Sequence, residues 1–171
     1  MSAIREECTM FIERWASLLP KDPEWILDIG VAGDPKPGGN YYLFNKPGQH
    51  YKTLDCDWQY EPDYLGDLTM PKTLRKLKNK FDVVICSNVL EHIFDYKAAF
   101  EGLSYLLKAE GYLIVDCPWM YPYHAEDQFG DYWRISATAM ERLINQTEGL
   151  TCLATMQGEH CTSAFAKKKL L

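Results

Sequence analysis

The chain predicts a doubly wound α/β domain with a mostly parallel sheet. Short, nearly continuous apolar runs recur along it, as strands buried on both faces of a parallel sheet require. Helical periodicities alternate with those runs. Several runs end in a glycine turn or a carboxylate, which places polar groups where open α/β sheets bind ligands, at the carboxyl ends of strands. A chain of 171 residues fits one domain with one core. We divide it into an N-terminal helix within residues 1–20 and an α/β core over 25–171.

Each element has its own signal. Ile4, Cys8, Phe11, Ile12, Trp15, Leu18 and Leu19 recur at helical spacing over residues 3–19, and Pro20 and Pro23 end the pattern. This helix either packs on the sheet or closes over a ligand. The run Trp25-Ile-Leu-Asp-Ile-Gly-Val-Ala-Gly33 reads as a buried strand breaking into a glycine turn, where backbone can approach a ligand unobstructed. Lys36 to Asn40 is a loop, and Tyr41 to Asn45 a short helix. Tyr51 to Asp57 is a second strand ending in acid, and Pro62 to Leu68 a short third strand with Asp67 at its tip. Thr69 and Pro71 have the N-cap and early-proline pattern of a helix start, which predicts a basic helix over Lys72 to Lys80. Phe81 to His92 is a fourth strand running into Asn88, Glu91 and His92. Asp95 caps a helix to about Lys108, with Ala99, Leu103 and Leu106 facing inward and Gly111 beyond its end. Gly111 to Cys117 is a fifth strand. Ser136 or Thr138 caps the next helix, Thr138 and Glu141 having capping-box spacing, and Gly149 terminates it. Leu150 to Met156 and Thr162 to Lys167 then form an antiparallel hairpin at the C-terminal end.

Composition narrows the function classes. The net charge of −6 argues against a nucleic-acid partner, because phosphate binding needs a basic face. The basic run Lys72, Arg75, Lys76, Lys78 and Lys80 is either a solvated face or a phosphate-docking strip, and Lys167 to Lys169 reads as a frayed, soluble end. The six cysteines contain no Cys-x-x-Cys pair. Cys56, Cys86 and Cys117 lie within or beside apolar strands, where thiols behave as small buried hydrophobes. That usage suits a reducing cytoplasm, the expected location. The four histidines are scattered, so no metal site is expected. No run is long and apolar enough to predict a membrane span.

The glycine turn departs from a dinucleotide fingerprint, which would require glycine at Ala32 and Pro35. Asp28, two residues before Gly30, suits a cationic ligand and repels a pyrophosphate. The segment resembles motif I of class I S-adenosylmethionine (SAM) methyltransferases, usually Asp-x-Gly-x-Gly-x-Gly, with Ala32 and Asp34 in place of the second and third glycines. Acids at the ends of strands two and three, and Ser87-Asn-Val-Leu-Glu-His92, extend the resemblance from about Trp25 to Leu143. Pro118-Trp-Met-Tyr-Pro-Tyr-His124, followed by Asp131-Tyr-Trp-Arg134-Ile-Ser136, is similar to a branch found in sugar, polysaccharide and natural-product pathways.

The resemblance implies a Rossmann-like methyltransferase fold, SAM as cofactor, and a small-molecule or sugar acceptor methylated at oxygen. Asp55, chosen over Asp57 because it ends the apolar run, would accept the ribose hydroxyls, with Cys56 beside it. Asp67 would face the adenine amino group, with the backbone of Leu68 alongside. Asp28 would orient the turn and the methionine ammonium. Gly30, Val31, Gly33, Ser87 and Asn88 would complete the cradle. His124 is the general-base candidate, because a histidine titrates near neutrality; it is otherwise a loop residue bonded to backbone. His92 either faces the same pocket or caps structure. Arg134 either clamps an anionic group or pairs with Asp131. Tyr121, Tyr123 and Trp133 would line the acceptor side, although Trp133 also suits a core. A SAM-binding partner protein without turnover is the alternative, and the oligomeric state is open.

Overall fold

The computed structural model describes residues 3–31 and 39–170. Its sheet has seven strands in the order β3-β2-β1-β4-β5-β7-β6. They are β1 (Trp25–Ile29), β2 (His50–Asp55), β3 (Tyr64–Leu65), β4 (Phe81–Ser87), β5 (Leu107–Pro118), β6 (Leu150–Gln157) and β7 (Cys161–Lys168). The pairs among β1 to β5 are parallel, while β7 runs antiparallel to both β5 and β6. The expected C-terminal hairpin therefore adds to the β5 edge through its second strand. This is the mostly parallel, doubly wound α/β sheet expected from the sequence.

Alternation along the strands builds a core on each face of the sheet. Leu27, Ile29, Val84, Cys86, Leu113 and Val115 face one side, where Ala99, Leu103 and Leu106 of α2 (Tyr96–Leu106) and Met140 and Ile144 of α3 (Ala137–Gln146) pack on them. Ile26, Val83, Ile85, Ile114 and Phe165 face the other, under Ile4, Cys8, Phe11, Ile12 and Trp15 of α1 (Ala3–Ser17). Polar contacts anchor α1 as well. Trp15 Nε1 donates to Ser163 Oγ at 2.8 Å, and the Glu7 carboxylate accepts the backbone N–H groups of Glu159, His160 and Cys161. Packing on the sheet is thus its role. Asp95 caps α2 through Ala98 N, and Ser136, not Thr138, caps α3 through Ala139 N.

Four expectations fail for physical reasons. Lys72 to Lys80 forms no α-helix; it holds a single 3₁₀ turn, Arg75–Leu77, closed by Asn79 at φ +52°. Its only fully inward residues, Leu74 and Leu77, are three apart, which is the 3₁₀ period and not the α period. Lys167 to Lys169 is not a frayed end. Lys168 belongs to β7, is buried, and donates through Nζ to the Ser104 and Leu107 carbonyls and Asn79 Oδ1. Cys56, grouped with Cys86 and Cys117 as a buried thiol, is exposed because the strand ends at Asp55. Tyr41 to Asn45 holds only a 3₁₀ turn, Tyr41–Leu43, where a short helix was expected.

Candidate active site

The parallel register brings the carboxyl ends of β1, β2, β4 and β5 to one edge: Ile29 stands opposite Leu54 and Cys86, and Ser87 opposite Asp116. Gly30 follows β1 at φ +79° and donates its N–H to the Leu54 carbonyl. A Cβ there would lie 2.2 Å from Val89 Cγ2. The turn thus needs glycine twice, for its left-handed backbone and for the close approach of the loop after β4.

Asp55 is bound into this edge. Its Oδ2 accepts Val31 N at 3.0 Å and its Oδ1 accepts Asp57 N at 3.0 Å. Each oxygen keeps a second lone pair. Asp57 instead caps the 3₁₀ turn Trp58–Tyr60 by accepting Gln59 N. Asp28 is 4% exposed and accepts from the Tyr51 hydroxyl and from Asn40 Nδ2. Asp67 accepts Thr69 N and Oγ1 through one oxygen, making the turn after β3. Leu68 is buried, and Ser87 and Asn88 both donate to Asp116 Oδ1. Cys56 sits at the exposed side of the same edge. Gly33 lies outside the described residues.

Two carboxylates stand out that the sequence reading did not single out as site residues. Asp116 is fully buried at the end of β5, and burial pushes its carboxyl up to about 7. Glu91 is also fully buried, and neither of its oxygens has a hydrogen-bond partner. Burial pushes the Glu91 carboxyl up to about 8. The sequence signal for Asp116 was an acid inside an apolar strand; for Glu91 it was an acid within the Leu90-Glu-His92 run.

His92 and His124 converge on Glu91. Their Nε2 atoms lie 3.6 and 3.9 Å from Glu91 Oε1, and their rings stand edge to face with centroids 5.0 Å apart. His92 Nδ1 is 2.6 Å from the Gly130 carbonyl oxygen. His124 Nδ1 is 3.2 Å from the Pro122 carbonyl oxygen and 3.1 Å from Asp131 Oδ2. An acceptor at Nδ1 favours the tautomer that donates there, and both Nε2 atoms are turned toward Glu91. Burial lowers the pKa of His92, which favours that neutral form. The loops are cross-tied: Tyr132 N donates to the Glu91 carbonyl and Trp133 Nε1 to the Ile93 carbonyl.

The acceptor-side expectations divide. Arg134 is no free clamp. Its guanidinium donates to both Asp131 oxygens and to the Tyr121, Pro122 and Trp133 carbonyls. Asp131, with its side chain 1% exposed, also accepts His124 N. The pair therefore shapes the loop that carries His124, the second of the two roles open in sequence. Trp133 is partly buried against the core, tilted against Phe94 and edge-on to Tyr96, the core role that was one of its two readings. Tyr121 meets the His124 ring edge-on, and Tyr123 is exposed at a shallow cleft running over residues 125–132.

A family model described as a methyltransferase domain matches residues 65–168. Comparison with curated proteins gives no match. Among solved structures, the Burkholderia thailandensis 1,6-didemethyltoxoflavin-N1-methyltransferase, with bound 1,6-didemethyltoxoflavin and S-adenosylhomocysteine, is similar with a TM-score of 0.67 at 14% identity, over 99% of this chain and 79% of that one. The CurJ carbon methyltransferase gives 0.69 at 17%, over 99% and 56%. The 4+2 cyclase SpnF gives 0.67 at 12%, over 97% and 81%. At such identities the likeness is one of fold, and these proteins are named for different reactions, so the fold does not select an acceptor.

Proposed function

The chain belongs to the methyltransferase-domain family, and from that premise we propose that it is a SAM-dependent methyltransferase acting on a small molecule, sugar or glycan intermediate, at oxygen. Within residues 1–171 the α/β core and the N-terminal helix act as one domain. The family implies SAM as cofactor.

The observation that carries the reading is the junction of Gly30, Val31 and Asp55. The left-handed glycine opens the backbone, and Asp55, held by Val31 N, keeps lone pairs for the hydroxyls of a ribose. Asp28 and Asp55 make this edge anionic, which suits a sulfonium and an ammonium. These residues fit the cofactor. Asp67 and Leu68 would border the adenine, with Gly33, Cys56, Ser87 and Asn88 completing the cradle.

When bound, SAM supplies a methyl group already made electrophilic by its sulfonium. The protein's task is to hold the acceptor in line, worth roughly 7 to 11 kcal/mol in a well-oriented pair, and to draw off its proton. His124 Nε2 is the base, with Asp131 and the Pro122 carbonyl fixing the ring by Nδ1. His92 flanks it. Tyr121 and Tyr123 line the acceptor side. Two imidazole nitrogens turned toward one point favour turnover over the alternative of a SAM-binding partner without catalysis.

A panel of hydroxylated sugars and phenols, incubated with SAM and read by S-adenosylhomocysteine release, tests the proposal. Acceptor-dependent release that falls about 10²- to 10⁴-fold in His124→Ala, with SAM affinity kept, is the expected result. Normal turnover in that variant removes His124 as base.

A further inference from the structure

The chain's histidines, spread along the sequence, gave no sign of a metal site. The fold brings two of them together with a buried acid. We infer that Glu91 Oε1, His92 Nε2 and His124 Nε2 form a binding site for one divalent transition-metal ion.

Four features converge. The three donor atoms lie within 4.8 Å of one another, and the two nitrogens are 3.6 and 3.9 Å from the carboxylate oxygen. Ligands about 2.1 Å from one ion at the tetrahedral angle stand about 3.4 Å apart, so the nitrogen–oxygen separations need to close by only a few tenths of an ångström to half an ångström. Both rings have Nδ1 against an acceptor, Gly130 on one side and Pro122 with Asp131 on the other. Such outer contacts orient metal-binding imidazoles and fix their tautomer. Glu91 is fully buried with both oxygens unpartnered, and a cation between it and the two rings would satisfy a polar group that otherwise lacks a partner.

The ligand set also selects the ion. Two imidazoles and one carboxylate suit zinc, manganese, iron or cobalt, whereas magnesium and calcium prefer oxygen donors throughout. Three protein ligands leave coordination positions open. His92 and His124 side chains are 18% and 30% exposed, so those positions have a solvent-facing side, unlike the wholly buried group of Cys8, Asp116 and Cys161.

The catalytic meaning rests on the methyltransferase reading. An acceptor hydroxyl bound at an open position would release its proton to a solvent water, because the cation stabilises the oxyanion. In the loaded state the ion would thus replace direct proton transfer to His124. Ion binding itself does not depend on that reading.

The test uses the full chain, stripped with chelator, without SAM or acceptor. Cobalt(II) is titrated while visible absorption is recorded, and S-adenosylhomocysteine binding is measured by calorimetry on the same samples. We expect one cobalt per chain with ligand-field bands, no sulfur-to-cobalt charge-transfer band, and affinity lowered at least about 10-fold in both His92→Ala and His124→Ala. Glu91→Gln should also lose the ion, but its buried position makes His124→Ala, at a half-exposed side chain, the deciding variant if Glu91→Gln does not fold. Absence of bound cobalt at millimolar concentration, unchanged affinity in both histidine variants, or a thiolate band would overturn the site. A chain that binds S-adenosylhomocysteine but no cobalt refutes the metal and leaves the methyltransferase reading. Cobalt binding without S-adenosylhomocysteine does the reverse.

Discussion

Val31 donates its backbone N–H to Asp55 Oδ2 at 3.0 Å, joining the turn after β1 to the end of β2. One carboxylate thereby shapes the turn and remains able to accept from a ligand. Asp55→Ala should weaken S-adenosylhomocysteine about 10- to 100-fold, since a hydrogen bond to a charged group contributes roughly 1.5 to 3 kcal/mol. Asp57→Ala, which removes only a cap on Gln59, should leave affinity within a few-fold. Calorimetry on both variants separates the two; unchanged affinity in Asp55→Ala with a loss in Asp57→Ala would move the ribose contact to Asp57.

Arg134→Ala should act through position and not through contact with the acceptor. It removes the ties from Asp131 to the Tyr121 and Pro122 carbonyls and leaves a buried carboxylate without its cation. Breaking a fully buried pair costs about 3 to 5 kcal/mol; Arg134 is 25% exposed, so roughly 2 to 3 is expected from the same principle. Denaturant melts measure this loss. Turnover should fall with little change in S-adenosylhomocysteine affinity, and a raised Michaelis constant at normal kcat would restore the clamp.

Gly102 lies inside α2, where alanine alone would be favoured by about 1 kcal/mol. A Cβ there would stand 2.2 Å from the Leu68 carbonyl oxygen. Gly102→Ala should therefore destabilise, by roughly 1 to 3 kcal/mol, and disturb the segment that carries Asp67. A stability gain in chemical denaturation would show that the helix can shift away from Leu68.

Acid should weaken the junction of β1, β4 and β5. Burial raises the Asp82 carboxyl, but Trp25 N–H, the Lys108 ammonium and Glu24 N–H together hold it below the ordinary 3.8. A folded value below the unfolded one means that Asp82 stabilises above the unfolded pKa and loses that contribution as pH falls through the lowered value. Asp82→Asn should flatten the fall in stability below about pH 4. Parallel slopes for wild type and variant in pH-stepped urea melts would contradict this.

The strands and their mostly parallel, doubly wound arrangement were legible because continuous apolar runs and end-of-strand acids are local signals, whereas the strand order of the sheet is set by packing between distant segments. The end of β2 at Asp55 was legible by the same logic. The Lys72 to Lys80 turn was misread because charge and an N-cap pattern suggest a helix, while only Leu74 and Leu77 decide its period. Lys168 was misread because burial of a lysine depends on distant carbonyls at Ser104 and Leu107. Glu91, His92 and His124 meet only when the loops after β4 and β5 are cross-tied through Tyr132 and Trp133, and no spacing along the chain encodes that.

The central claim is that the edge around Gly30, Val31 and Asp55 holds SAM. Titration calorimetry of the purified chain with S-adenosylhomocysteine, and separately with NAD, tests it most directly. Saturable one-site binding of S-adenosylhomocysteine, weakened in Asp55→Ala, is expected, with no binding of NAD, because Asp28 repels a pyrophosphate. No heat from either SAM or S-adenosylhomocysteine at millimolar concentration, or saturable binding of NAD, would contradict it.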